Sequence, residues 1–373
     1  MIREDDPLWR RWRLAAIALL SAALFLPSVW TRDLWDPDEP RYAEATRQMQ
    51  ESGDLLVPRF NGEIYSEKPP LFFWLSLAAE KIPGVPPGSG GRLVGVLASA
   101  GTLLLTWRIG ALLMGEATGA LAAALLSACI LFWDLAQSGV IDPLLAFCVT
   151  GSIYGYARHV RGRRPGMAIF YLAAAAGVLA KGPVGLIVPA LAAMTHAILA
   201  GGGRALRARH PLWGIPLVLA PVTAWLLLAS ARAGTGYFET MVFKQNVGRA
   251  VNAYVHREAW WYYFEVGPFV LMPLTLFLPQ ALVTAWREKI HGIRPILLPL
   301  AWFGSTALFF TVVSSKKTRY LLALAPAAAL LVAGWFMRRY LTAEGKIRQG
   351  RALLCIAACG ALAIATLLAL PAM

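Results

Sequence analysis

The segment Asp33–Pro70, DLWDPDEPRYAEATRQMQESGDLLVPRFNGEIYSEKPP, mixes carboxylates, cations and phenols in a chain that is otherwise largely apolar. Ten of the 21 acidic residues lie between Asp33 and Glu80. Asp36-Pro37-Asp38-Glu39 reads as a helix start, with Asp36 as N-cap, Pro37 at the first helical position and Glu39 three residues after the cap. The helix should run to about Ser52 and stop at Gly53. Favourable placement at the positive end of the helix dipole accounts for Asp38 and Glu39. It does not account for Arg41 and Tyr42, which add a cation and a phenol within one turn of the carboxylates. That mixture suits a polar pocket.

Tyr65-Ser66-Glu67-Lys68-Pro69-Pro70 precedes an apolar stretch, Leu71–Ala79, too short to span a bilayer and suited to an interfacial or re-entrant helix. A lysine at a membrane boundary is commonly a snorkelling one. The Pro pair, however, disfavours helix at Lys68 and predicts that Glu67 and Lys68 are held extended. Asp142, followed by Pro143, reads as the N-cap of a span, and Lys181-Gly182-Pro183 as a helix end where the lysine complements the C-terminal dipole. In Gly236–Tyr263, Trp260, Trp261, Tyr262 and Tyr263 read as an aromatic belt at headgroup level. Lys244, Asn246, Arg249, His256 and Arg257 do not fit that description and suit a headgroup cover or a lid. Ser314–Tyr320 carries three cations in seven residues, Lys316, Lys317 and Arg319, on the side where basic residues are usually sparse. Such an excess suggests an anionic ligand, most simply a lipid phosphate.

A chain that is 58% hydrophobic and 15% charged is not a soluble domain. Continuous apolar stretches predict an all-α polytopic membrane protein of about eleven transmembrane helices, near residues 14–30, 92–113, 117–133, 140–157, 167–181, 183–200, 212–231, 266–285, 295–313, 320–337 and 352–370. Basic residues on alternate loops, from Arg10, Arg11 and Arg13 to Arg338 and Arg339, predict a cytoplasmic N-terminus. The acidic first loop, Asp142, Lys181 and Lys316–Arg319 then share the extracytoplasmic side. The net charge of +14 is a topology signal, and a nucleic-acid partner is not expected. The N-terminal apolar run reads as a retained span. Cys129, Cys148, Cys355 and Cys359 fall in apolar stretches without metal or disulfide spacing.

The blocks DLWDPDEPRYAE, YSEKPP, IDP, LAKGPVG and SSKKTRYLL, in this order, resemble the aminoarabinose transferase branch of the polytopic glycosyltransferases of GT-C type, related to protein O-mannosyltransferases. The resemblance covers nearly the whole chain. It implies an inverting transferase that takes a sugar from a polyprenyl-phosphate donor to a lipid, protein or glycan acceptor on the outer face of a bacterial inner membrane, with lipid A modification one such use. By this resemblance Asp38 is the base or acceptor-orienting carboxylate, with Glu39 capping or supporting it. Asp142 is the second acidic position, orienting the acceptor or holding Lys68 or Arg41. Lys68, Arg41, Lys181, Lys317 and Arg319 would meet the donor phosphate. Tyr42, Tyr65 and Tyr320 would hydrogen-bond sugar or phosphate, and Arg249 and His256 would cover the substrate.

Glu67 and Asp38 are the pair that would share a divalent ion, with His256 as a further ligand, although their spacing forms no recognised metal motif. The expected organisation is one transmembrane domain, 1–373, with outer loops at 31–91 and 232–264 and without the C-terminal soluble domain of larger relatives. Two other readings use the same cations without a base: a polyprenyl-phosphate transporter or flippase, and a non-catalytic lipid-binding subunit. A transporter would rather carry ionisable groups at the bilayer midplane in two repeated halves, and no such repeat is seen in the sequence.

Overall fold

The computed structural model describes residues 24–35, 37–201, 214–243, 258–290 and 295–340. Apart from a two-residue hairpin, Arg59–Phe60 with Glu63–Ile64, its regular elements are helical. A short turn of helix, α1 (Ser28–Thr31), leads to α2 (Asp38–Ser52), which ends at Gly53 with φ of 68°. The hairpin and α3 (Leu71–Glu80) follow. Then come α4 (Gly90–Met114), α5 (Glu116–Ser127), α6 (Ile130–Ala136), α7 (Asp142–Val160), α8 (Gly166–Lys181), α9 (Val184–Gly201) and α10 (Ile215–Ala233). After the short α11 (Thr235–Glu239) are α12 (Tyr262–Val270), α13 (Leu278–Ile290), α14 (Leu297–Val312), a 3₁₀ turn at Thr318–Ala323, and α15 (Ala325–Tyr340).

Among the described residues α4, α9 and α10 are long and apolar enough to cross a bilayer, and α5 with α6 makes a fourth if that pair, bent by 71°, is one span. The expected span at 117–133 thus falls on a bent pair of helices. The expected span at 266–285 is likewise interrupted, into α12, a 3₁₀ turn at Leu274–Leu276 and α13. Pro273 lacks the amide that continuous helix needs there. The expected span at 352–370 and most of that at 14–30 lie outside the described residues, as do Cys355 and Cys359; Cys129 and Cys148 are buried free thiols.

One large apolar core joins α3 through α9 with α14 and α15. Small residues set its closest approach. A Cβ on Gly185 of α9 would lie 2.1 Å from the carbonyl carbon of Gly177 on α8, so those two backbones touch directly. Gly182, with φ of 88°, makes the reversal between them, which holds Lys181 at the end of α8 facing the start of α7. A smaller cluster of Val57, Trp225, Ala229, Tyr237 and Met241 fastens the 53–58 segment to α10. Hydrogen bonds from Trp74 Nε1 to the Leu55 carbonyl (2.6 Å) and from Trp225 Nε1 to the Leu56 carbonyl (3.1 Å) hold the same segment. The loop chemistry of the first segment is thereby tied to the helical body.

Candidate active site

Helix α2 begins at Asp38 with Pro37 immediately before it, and no side chain caps its end. Asp36, expected as N-cap, lies outside the described residues. Asp38 is buried, and its carboxylate is held by three cations from two parts of the chain. Arg41 Nη1 lies 3.3 Å from Oδ1, one turn along α2, while Arg319 Nη1 and Lys317 Nζ lie 2.9 and 3.5 Å from Oδ2. Burial opposes ionisation, but Lys317, Arg319, Arg41 and Lys68 outweigh it and hold the Asp38 pKa below the ordinary carboxylate value. The group is a stable anion.

Asp142 opens α7, yet its carboxylate caps nothing; the expected N-cap role is replaced by an ion pair with Lys181. Arg319 Nη1 is also 3.9 Å from Asp142 Oδ2. The expectation that Asp142 holds Lys68 or Arg41 is therefore corrected to Lys181 and Arg319. Arg319 stands between the two carboxylates that the sequence separates by about a hundred residues. Lys181 Nζ also lies over the Tyr320 ring, 4.7 Å from its centroid. The 3₁₀ turn carrying Arg319 and Tyr320 is packed through Tyr320 against Phe310 of α14, with ring centroids 5.5 Å apart.

These side chains face a polar cavity of about 270 Å³, lined by Asp38, Arg41, Tyr42, Glu67, Lys68, Asp142, Lys181, Ser315, Lys317, Arg319 and Tyr320. A second cavity, about 180 Å³, shares Glu67, Lys68, Asp142, Lys181, Ser315, Arg319 and Tyr320 with it and is otherwise walled by apolar side chains, among them Val184, Ile187, Phe309, Phe310 and Val313. A third, about 690 Å³, reaches Asp38, Arg41, Lys317 and Arg319 from another direction, past Trp133, Asp134, Glu258 and Tyr262. Asp38 thus stands where the polar cavity meets the third one.

Most of the residues singled out in the sequence converge here. Glu67 and Lys68 line the polar cavity, though Ser66 and Glu67 form a turn and Lys68 a bend, not the extended segment expected. Pro70 is in helical conformation and is the N-cap residue of α3. Tyr42 reaches the cavity with its ring packed edge-on against Phe72 and Phe73. Burial, with Tyr65 and Asp38 adding to it, pushes its pKa well up, so it stays a phenol. Tyr65 packs against Phe73 and lies beside Arg41, behind the cavity wall, and burial raises its pKa too. Arg249 and His256 lie outside the described residues.

Lys316 differs from its neighbours. It is buried and donates to the carbonyls of Val313 (2.8 Å) and Glu258 (3.4 Å), which commits it to the loop. Burial lowers its pKa. The expected four-residue aromatic belt is also divided. Trp260 and Trp261 are exposed, but Tyr262 bonds the Thr318 hydroxyl (2.8 Å) and Tyr263 donates to the Lys317 carbonyl (3.3 Å). Their hydroxyls hold the loop that presents Lys317 and Arg319.

Sequence reasoning missed Arg92. It is 1% exposed and pairs with Glu39, 2.9 Å from Oε2, directly behind Asp38. An arginine in the first turn of a 25-residue apolar helix was the available signal. Glu39 supports the site through this pair and through its bond from the Trp35 amide (3.1 Å).

A divalent ion on Asp38 would sit among Arg41, Lys317 and Arg319, which already occupy both carboxylate oxygens. Among the described residues no three His, Cys, Asp or Glu side chains gather as a ligand set. The described donors do not fit a metal held by Asp38.

The fold is largely helical and sets a buried carboxylate-cation site beside a mainly apolar cavity. The structure resembles ArnT from Cupriavidus metallidurans bound to undecaprenyl phosphate, with a TM-score of 0.80 and 24% identity, over 98% of this chain and 66% of that one. It also resembles the archaeal oligosaccharyltransferase AglB from Archaeoglobus fulgidus, with a TM-score of 0.67 and 14% identity, over 94% of this chain and 54% of that one. In sequence, the undecaprenyl phosphate-alpha-4-amino-4-deoxy-L-arabinose arabinosyl transferases of Edwardsiella ictaluri and Pectobacterium carotovorum are 28% and 29% identical to this chain over 86% of it. The chain spans 59% and 58% of the length of those two proteins. Residues 11–206 match the dolichyl-phosphate-mannose-protein mannosyltransferase model, and the chain belongs to that family.

Proposed function

We propose that this chain is an inverting membrane glycosyltransferase that takes a sugar from a polyprenyl-phosphate donor to an acceptor on the extracytoplasmic face. The observation that carries this reading is the position of Asp38, ionised among Arg41, Lys317 and Arg319, between a cation-lined cavity that adjoins an apolar one and the larger third cavity. The apolar cavity suits the first prenyl units. Lys68, Lys181, Arg319 and Tyr320 suit the phosphate they lead to. The third cavity is the route for the acceptor, whether lipid, protein or glycan.

In the step itself the acceptor oxygen bonds to the anomeric carbon, and the bond from that carbon to the phosphate oxygen breaks on the opposite face. Polyprenyl phosphate departs with the electron pair, and the acceptor proton passes to Asp38. Cations around the phosphate stabilise the charge that develops on it. Held by three cations, Asp38 alone is a weak base. A bound phosphate competes for Lys317 and Arg319, and drawing them away raises the basicity of the carboxylate once the donor is seated.

The names of the relatives support undecaprenyl phosphate as the lipid and an aminoarabinose as one sugar to test. About eleven spans with a cytoplasmic N-terminus in a bacterial inner membrane belong to this reading, as the loop charges suggest, with one domain whose outer loops lie at 31–91 and 232–264, the first carrying Asp38 and Lys68. The test is sugar transfer from radiolabelled polyprenyl-phosphate donors by the protein in lipid. Asp38→Asn should abolish transfer while undecaprenyl phosphate still binds, and Lys68→Ala should lose about 10²- to 10³-fold in rate. Undiminished transfer by Asp38→Asn would remove Asp38 from the chemistry.

A further inference from the structure

The two carboxylates of the site belong to segments that are distant in sequence, and the charges they share would draw them together around Arg319 or let them drift with it. A second ionic assembly lies behind them. Arg92, in the first turn of α4, extends its guanidinium under the entry to α2. Its Nη1 donates to the carbonyls of Ser28 (3.4 Å) and Arg32, and its Nη2 to the Asp33 carbonyl and to Glu39 Oε2 (2.9 Å). Glu39 Oε2 also accepts from the Trp35 amide, while Oε1 accepts from the amide of Gly139. Gly139 is three residues before Asp142, and Glu39 is the neighbour of Asp38.

This contact requires the 136–140 turn to lie directly on α4. A Cβ on Gly95 would be 2.6 Å from the Ser138 carbonyl oxygen, and one on Gly139 would be 3.3 Å from the Arg92 amide nitrogen. Neither Arg92 nor Glu39 lines the three cavities around Asp38, and they are 1% and 4% exposed. Neither can touch a substrate.

We propose that Arg92 and Glu39 are positioning residues: a buried strut, running from α4 through Glu39 to Gly139, sets the separation of Asp38 and Asp142 on either side of Arg319. This rests on the transfer reading for its catalytic consequence. A buried ion pair by itself is weak evidence of net stabilisation, because desolvation offsets the attraction. What the pair supplies is direction. The planar guanidinium makes several bonds at fixed angles, and the carboxylate oxygens face two different segments.

The experiment compares Arg92→Lys, Arg92→Gln and the double variant Glu39→Gln/Arg92→Gln in lipid. It measures transfer kinetics, undecaprenyl phosphate binding, thermal unfolding, and hydrogen exchange of the 33–42 and 136–144 segments. Lysine keeps the charge but cannot reproduce the fork, so Arg92→Lys should fold and bind undecaprenyl phosphate while kcat falls about 10²-fold, the usual scale for displacement of a reacting group by about 1 Å. KM for the donor should change little. The double variant removes both buried charges and should regain stability without regaining kcat. Exchange should rise in both segments together.

Wild-type kcat in Arg92→Lys, or kcat recovered along with stability in the double variant, would overturn the positioning role and leave only a structural charge. A wild type that transfers no sugar would instead overturn the transfer reading, and hydrogen exchange would then decide the strut. Unchanged exchange in Arg92→Lys and in the double variant would remove it, and coupled acceleration of both segments would support it.

Discussion

Replacing Arg319 with methionine removes a side chain that meets both carboxylates, at 2.9 Å from Asp38 and 3.9 Å from Asp142. Two effects follow, and they differ in how they depend on pH. Asp38 retains Arg41 and Lys317, and Asp142 retains Lys181, so neither carboxylate is stranded. Attraction between unit charges at this range amounts to about 4 kcal/mol at an effective dielectric of about 20, before desolvation is counted. Part of that attraction is cancelled by the hydration that Asp38 regains, and what remains should raise its pKa.

In the intact protein the folded pKa of Asp38 is depressed. Its ionised form, and the stability it contributes, are therefore present above the ordinary carboxylate value and are lost as pH falls through the depressed one. The acid limb of kcat/KM should accordingly lie below the ordinary carboxylate value in the wild type. It should move upward in Arg319→Met, together with a pH-independent loss of about 10²- to 10³-fold from the missing phosphate contact. The assay is donor turnover across the acid range on protein in lipid, with unfolding followed in parallel. An acid limb that stays in place while the plateau falls would refute the electrostatic coupling of Arg319 to Asp38, and Arg319 would then serve the phosphate alone.

Lys181→Met leaves the buried Asp142 carboxylate with the longer Arg319 contact at 3.9 Å and should destabilise the protein by less than the about 3–5 kcal/mol of a fully broken buried pair, read as a lower unfolding temperature. Adding Asp142→Asn should restore much of that stability but not undecaprenyl phosphate affinity; restored affinity would show that Lys181 serves only its partner. Gly185→Ala places a methyl group against the Gly177 backbone and should cost about 1–3 kcal/mol by forcing α8 and α9 apart. Thermal unfolding checks this, and an unchanged midpoint would mean that the two helices separate without penalty.

The chemistry-bearing residues were legible in the sequence because they break its pattern. In a chain that is 58% hydrophobic, Asp38, Lys68, Asp142, Lys181 and Arg319 stand out as polar groups that lipid-facing helices do not require. Helix ends were legible where backbone chemistry dictates them, as at Gly53 and at the short α3 after Pro70. Pairing was not. Periodicity cannot say that Asp142 faces Lys181 instead of Lys68, because that choice follows from the close contact of α8 with α9 and from the way α7 packs beside them. Nor could composition separate Lys316, fastened to two carbonyls, from Lys317 one residue later, which faces Asp38.

Arg92 and Glu39 show the same division. A single sequence offers an arginine at the edge of an apolar run and a glutamate in a helix's first turn, each with an ordinary local explanation. Only the tertiary structure brings Gly139 between them and Asp142, because the contact depends on a backbone turn resting on glycine. The sequence by itself determined which residue types occur where lipid would exclude them, since the cost of burying charge leaves a visible signature in composition. The tertiary structure decided which of these groups meet, because an ion pair is set by distances of a few ångströms between elements about 180 and 280 residues apart in the chain.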